Sequence, residues 1–339
     1  MVDAIGIDAG SYATILACVK QRGIEIVLSE TSAKWTPTLV AYTDAERLVG
    51  DAAINQMKKN FKNTCQFFAR FLGLNQDCKA QLEEEKKFIT YKVVNLENKK
   101  IGFELVVRGE KRIFTPEQVM GYYLKKVKTY FEKAGLMSKE IVISVPTYAS
   151  NAERQAYLDA AEIAGVKCIR LINESTATAL TYGFFRKADL DEKEERIVAF
   201  IDFGHSKLTV TFGSFLKGKM KVIASHSNKN LGARQIDYQL FDLLGGNFAK
   251  KFGCDPRGNI RCRLRMLDSI EKMRKLLTSN KEADVVCEAL LEDEDLRQQF
   301  SRDQLEELMA PFVADFRKCL EESLAKSGKY KLNLIHTQI

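Results

Sequence analysis

Two short turns in this sequence bring together residue types that can hold a phosphorylated ligand: Asp8-Ala9-Gly10 followed by Ser11, and Asp202-Phe203-Gly204. Each stands directly after an apolar stretch, Ala4 to Ile7 in the first case and Ile197 to Ile201 in the second. A glycine after a strand lets backbone N–H groups approach phosphate oxygens, and a hydroxyl such as that of Ser11 adds a donor. A carboxylate beside the turn can hold hydrated Mg2+, an ion that keeps several waters and takes one or two carboxylates together with phosphate oxygens. Asp8 and Asp202 facing each other across a cleft would therefore suit Mg-ATP. The sequence contains no G-x-x-x-x-G-K-[ST], which disfavours a P-loop enzyme.

The elements that must carry these turns repeat. The strand Ala4 to Ile7, a returning strand Thr14 to Val19 and a third at Ile24 to Leu28, after Arg22-Gly23, make a meander. The second copy runs Ile197 to Ile201, Leu208 to Phe215 and, past Lys217-Gly218-Lys219, Met220 to Ala224. After the first meander, Thr115-Pro116 starts a helix reaching Ala134, and Glu140 to Val145 reads as a buried strand. Ser150 and Glu153 form a capping box for a helix ending at Gly165, followed by a strand at Val166 to Ile172 and a helix from about Ser175. After the second, Ile236 to Phe252 and Ile260 to Ser279 read as helices, Asp284 to Leu291 as a strand, and Ser301 caps a helix running to about Lys326. The expected organisation is two α/β lobes: 1–185 with an insertion at about 38–113, a charged crossover 186–196, and 197–339 with an insertion at about 228–308.

At 339 residues and 45% hydrophobic content the chain can bury a large core. The net charge of +7 is spread among interleaved acids and bases, which gives a nucleic-acid role little support. Eight cysteines without a C-x-x-C pair read as reduced thiols of a cytoplasmic or nuclear protein. Asp3 and Asp8 interrupt any leader peptide, and the uncharged run Ile141 to Ala152 is too short to span a membrane. His205, His226 and His336 share no metal-ligand spacing, Trp35 reads as a loop anchor, and Glu292 to Asp295 as a solvated turn. Tyr122, Tyr123, Tyr130 and Phe131 fit a buried helix face.

Across essentially its whole length the chain resembles the nucleotide-binding domain of the seventy-kilodalton heat-shock chaperones, and more closely their hundred-and-ten-kilodalton relatives. The matching stretches are Gly6 to Gly10, Asn63-Thr64, Val145-Pro146 with Ala152 to Arg154, Arg170 to Gly183, Ile201 to Ser206, Leu231 to Asp237 and Glu271 to Ser279. The run IDFGHS points to the larger relatives. The resemblance implies an actin/hexokinase-like (ribonuclease H-like) two-lobed ATPase fold binding ATP or ADP with Mg2+. It implies a first phosphate loop at Gly10, Ser11 and Tyr12 and a second at Gly204, His205 and Ser206, with Gly232 and Ala233 beside it. Glu174, Asp8 and Asp202 would order Mg2+ and its waters, the aspartates as metal-site residues through water. Glu271, Arg274, Lys275 and Thr278 match the adenosine-binding helix, where the carboxylate and hydroxyl meet the ribose and the cations flank adenine.

Three positions depart from the family pattern. Ala69 stands where the family has the lysine that reaches the γ-phosphate, Lys207 where it has Ser or Thr, and Thr209 where the smaller chaperones have a catalytic aspartate. Losing one preorganised donor costs about 10²- to 10³-fold in rate. Lys207 could replace the missing cation or point to solvent, the second being the expectation. After the strand-like Leu332 to Ile339 the family continues into a glycine-rich turn and a last helix, so the second lobe is expected to be truncated. The expected function is a co-chaperone or exchange factor that docks on a seventy-kilodalton chaperone, with unfolded clients as conceivable further partners but no nucleic acid or membrane. The alternatives are an active ATPase chaperone and a degenerate truncated paralogue.

Overall fold

The computed structural model describes residues 4–20, 23–136, 138–328 and the backbone of 335–338. It divides into two compact units, Met1–Ala177 and Thr178–Ile339, the division falling within the helix Glu174–Phe185.

In the first unit, Ile5, Ile7 and Ala9 point into the core while Asp8 is exposed, the period-2 alternation of a half-buried strand. This strand, Ile5–Ala9, sits centrally in a sheet ordered Lys167–Asn173, Glu140–Val145, Ile5–Ala9, Ala13–Lys20, Gly23–Val27. It pairs in parallel with Glu140–Val145 and antiparallel with Ala13–Lys20, placing Asp8 opposite Ser144 on one side and Ile15 on the other. Two helices cover the sheet's core side. Pro116–Lys133 opens on a Thr115–Gln118 capping box, and Asn151–Ala164 opens on the expected Ser150–Glu153 box and ends on Gly165 at φ 69°. Tyr123, Tyr130 and Phe131 are buried as expected, whereas Tyr122 is half-buried with the Arg47 guanidinium over its ring. Between these elements lie two small antiparallel sheets, one centred on Leu39–Tyr42 and one on Ile101–Val107.

The second unit repeats the theme. Its sheet runs Lys219–Asn228, Leu208–Leu216, Arg196–Phe203, Ile335–Gln338, with the last strand parallel to Arg196–Phe203 as Glu140–Val145 is to Ile5–Ala9. The expected strand Leu332 to Ile339 is seen at Ile335–Gln338; its remaining residues, with Asp3 and Arg22, lie outside the described residues. Helices Ala233–Phe252 and Ile260–Leu276 pack with the hairpin Glu282–Leu291 and Glu294–Ser301 around a separate core containing Leu240, Phe248, Met266 and Val285.

The hairpin corrects one expectation. Only Glu292 and Asp293 turn, both at positive φ, and Glu294 already begins a strand whose inward residues are Leu296 and Phe300. Short polar strands of this kind carry only a weak alternation. The Ser301 cap and the helix Arg302–Ser327 stand as expected, the helix continuing through Pro311. All eight cysteines are free thiols, and no helix among the described residues is long and apolar enough to cross a membrane.

Candidate functional site

The first turn is built tightly. A Cβ on Gly10 would lie 2.4 Å from the Ala13 carbonyl oxygen, so only glycine fits this close return of the chain. Thr38 fastens the turn: its hydroxyl donates to the Gly10 carbonyl at 2.8 Å and lies 3.0 Å from the Thr14 hydroxyl, while its N–H donates to the Tyr12 carbonyl at 2.9 Å. The Tyr12 ring stacks on Trp35 with centroids 6.3 Å apart, but Trp35 is 43% exposed rather than packed into the unit as an anchor would be. Asp8 Oδ1 accepts a 2.7 Å hydrogen bond from the Ser144 hydroxyl across the parallel pair, which orients the carboxylate. Sequence reasoning passed over Ser144 and Thr38; a serine inside the apolar run EIVISV was the available signal for the first. Glu174 opens the helix Glu174–Phe185, and next to it the Ser175 hydroxyl meets that of Thr147 at 2.8 Å.

Ala69 packs against the hydrophobic core. Arg70 is buried and engaged: its Nε and Nη2 donate to Glu85 Oε1 at 2.9 and 2.6 Å, and its Nη1 donates to the Tyr148 hydroxyl at 2.6 Å. Burial pushes this guanidinium's pKa down, but Glu85 and Tyr148 more than reverse the effect.

In the second unit the strand Arg196–Phe203 runs on through Asp202 and Phe203, so the turn lies later than expected, at Gly204 to Lys207, closed by the Gly204 N–H donating to the Lys207 carbonyl at 2.9 Å. The expectation that Lys207 points to solvent is overturned. Its side chain is only 13% exposed, and Nζ lies 2.8 Å from Asp202 Oδ2, a charge-assisted contact on a carboxylate that is itself 53% exposed. Gly232 abuts the same loop, since a Cβ there would lie 2.7 Å from the His205 carbonyl group and the Lys207 nitrogen. The helix beginning at Ala233 spends its first N–H groups on the loop: Ala233 donates to the Gly204 carbonyl at 3.1 Å and Arg234 to that of His205 at 2.8 Å. Gly232 and Ala233 thus brace the turn. Ser206 is buried, and so is Thr209, whose hydroxyl lies 3.0 Å from that of Ser227 across the hairpin.

His205 has a buried Nε2, and burial, with the cations of Arg234, Arg274 and Lys275 adding to it, pushes its pKa down to about 3. The folded chain therefore keeps this ring neutral in a range where the unfolded chain, titrating near pH 6.5, protonates it. Stability from this group is full above about pH 6.5 and is lost as pH falls toward 3, by ~1.4 kcal/mol per pH unit. Between pH 7.5 and 5.0, urea unfolding of the native chain should lose ~2 kcal/mol more than that of His205→Gln.

Around the turn stand further ion pairs. Arg274 grips Asp237 through Nε–Oδ1 at 2.6 Å and Nη2–Oδ2 at 3.0 Å, and Lys275 Nζ meets Glu271 Oε1 at 2.6 Å one helical turn away. Thr278 donates back to the Lys275 carbonyl at 2.5 Å. Arg274 and Thr278 also line a cleft of about 630 Å3 whose other walls include Phe203, Ile236, Leu277 and Met309. An apolar cleft with a few polar groups suits a heteroaromatic base. Glu271 and Lys275 do not line this cleft.

The carboxylates differ in their fitness for Mg2+. Asp8 is exposed and oriented by a neutral hydroxyl, which fits a hydrated divalent ion held through water. Asp202 does not fit, because an ammonium already holds Oδ2 and would repel a second cation there. Among the described residues no cluster of three or more His, Cys, Asp or Glu is arranged for a metal.

A doubled α/β arrangement with an Asp-x-Gly turn after each opening strand is that of the actin/hexokinase-like class of ATPase folds. A family model described as Hsp70 protein matches residues 4–337, and the chain belongs to that family. Relatives include a heat shock protein homolog of Saccharomyces cerevisiae, 34% identical over 330 residues, covering 96% of this chain and 47% of the relative. The 97 kDa heat shock protein of Strongylocentrotus purpuratus is 35% identical over 341 residues, covering 99% of this chain and 38% of the relative. Heat shock 70 kDa protein 14 of Arabidopsis thaliana is 34% identical over 331 residues, covering 96% and 39% respectively. These matches bear out the resemblance to the larger chaperone relatives, and the chain spans less than half the length of each of the three.

Proposed function

We propose that this chain holds ATP or ADP without efficient hydrolysis and serves as a co-chaperone that speeds nucleotide exchange on a seventy-kilodalton heat-shock chaperone, so assisting protein folding in the stress response. The observation that carries the reading is the state of positions 69 and 70: an alanine packed on the core, and an arginine consumed by Glu85 and Tyr148. Neither can offer a cation to a γ-phosphate. Thr209, tied to Ser227, has no carboxylate to replace a catalytic base. What remains suits binding: a glycine turn braced by Thr38, an oriented Asp8, and a second turn braced by the helix Ala233–Phe252.

Calorimetric titration with ATP and ADP should show binding, while single-turnover incubation with labelled ATP should return it intact, at least ~10²-fold more slowly hydrolysed than by a chaperone that keeps the lysine. The same protein should accelerate ADP release from a partner chaperone. An ATP cleavage rate that falls on Asp8→Asn would instead favour an active ATPase, the reading supported by the oriented Asp8 carboxylate.

A further inference from the structure

We propose that Lys207 is the resident cation of the second phosphate turn, so that this turn receives a nucleotide polyphosphate without a divalent metal at Asp202. The inference rests on the nucleotide-holding reading above and adds to it the source of the charge. An aspartate beside a phosphate-binding turn is ordinarily an electrostatic problem, because carboxylate and phosphate repel each other unless a cation lies between them. A soluble Mg2+ is one remedy, and it needs access to the carboxylate oxygens with its waters in place.

Here the neutralising charge is covalently attached. Lys207 leaves the hairpin five residues after Asp202, and the Gly204 N–H to Lys207 carbonyl bond fixes the backbone from which its side chain returns. The ammonium ends 2.8 Å from Oδ2, and the lysine is far less exposed than the carboxylate it holds, so it is packed beneath the turn rather than free in solvent. The neighbouring cations are otherwise committed: Arg274 is paired with Asp237, Lys275 with Glu271, and the Arg234 side chain is buried. A phosphate arriving at Gly204 to Ser206 therefore meets an aspartate already paired by Lys207, the cation attached to the turn itself.

Isothermal titration of ADP and ATP into the full chain, in excess chelator and again in millimolar Mg2+, tests this directly with the native protein, Lys207→Ser and Lys207→Arg. The native chain and Lys207→Arg should share one Mg2+ dependence, that of Asp8 alone, agreeing with each other within about threefold in either buffer, a gap smaller than one charge-assisted hydrogen bond makes. Lys207→Ser should lose about 10- to 100-fold in chelator, the worth of a charged contact to phosphate, and regain most of it with Mg2+. Mn2+ alone, followed by water-proton relaxation, should bind more tightly to Lys207→Ser than to the native chain. If Lys207→Ser gains no more from Mg2+ than the native chain does, the resident-cation role is overturned while nucleotide holding stands. If a natively melting protein binds neither nucleotide in either buffer, the holding reading fails and this inference falls with it. Should Lys207→Ser not fold, Lys207→Gln, which keeps the bulk and loses the charge, takes its place in the same comparison.

Discussion

Glu85→Ala should lower the unfolding free energy of the first unit by about 3–5 kcal/mol, the usual penalty for stripping a buried ion of its partner. Glu85 is fully buried and Arg70 nearly so, and the Nε and Nη2 bonds of the guanidinium end on the same carboxylate oxygen. Removing that carboxylate takes the countercharge away and leaves the Tyr148 hydroxyl, a neutral acceptor, against a buried cation. For a unit of this size the melting midpoint should fall by roughly 10 °C, readable by calorimetry. The compensated double variant Arg70→Met with Glu85→Leu should recover most of the loss, since a well-packed apolar pair often equals or exceeds a buried ion pair. If Glu85→Ala melts like the native chain, the pair does not hold the segment carrying Ala69.

The second large effect is expected at Gly232. A methyl group there would stand 2.7 Å from three backbone atoms of His205 and Lys207, none of which can swing aside as a side-chain tip would. Either the loop shifts or the helix Ala233–Phe252 retreats, and both routes break the bonds from Ala233 and Arg234 to the loop carbonyls. Two lost backbone hydrogen bonds plus strain should cost ~2–4 kcal/mol. ADP affinity should fall more than ~10-fold, because preorganisation of the loop is lost with them. Gly246→Ala in the same helix is the control. Its Cβ would have no neighbour nearer than 3.8 Å, and a helical Gly-to-Ala change gains up to ~1 kcal/mol. Equal calorimetric affinity for Gly232→Ala and the native chain would show that the loop is not set by this contact.

The legible parts of the molecule were those with a local cause. The Ser150–Glu153 box and the αL glycine at 165 act within a few residues and stand in the structure as the sequence implied, while each Asp-x-Gly proves to be the end of a strand, with only its glycine in the turn. The strand Glu294–Ser301 was not legible because only Leu296 and Phe300 face inward among charged and amide neighbours. The short strands of the insertion, such as Arg47–Val49 and Thr64–Gln66, are too brief for a period to show. Partners remote in sequence were invisible: Ser144 meets Asp8 across 136 residues, Arg70 meets Glu85 across 15, and Arg274 meets Asp237 across 37. The direction of Lys207 is illegible in the sequence for a related reason. It sits just past a turn, where no face alternation assigns the side chain, and its ammonium follows the nearest carboxylate.

The bracing of the second turn gives the helix Ala233–Phe252 mechanical leverage. Its 20 residues extend ~30 Å from the loop, and its buried face, with Leu240, Leu244 and Phe248, is part of the core it shares with Ile260–Leu276 and the hairpin. A displacement of the Gly204 and His205 carbonyls would reach that block through the Ala233 and Arg234 N–H bonds. A tilt of only ~10° at the loop would sweep the far end through ~5 Å, since arc grows with the length of the arm. A sub-ångström adjustment around a phosphate would thereby be amplified into a displacement that another protein could feel at the surface.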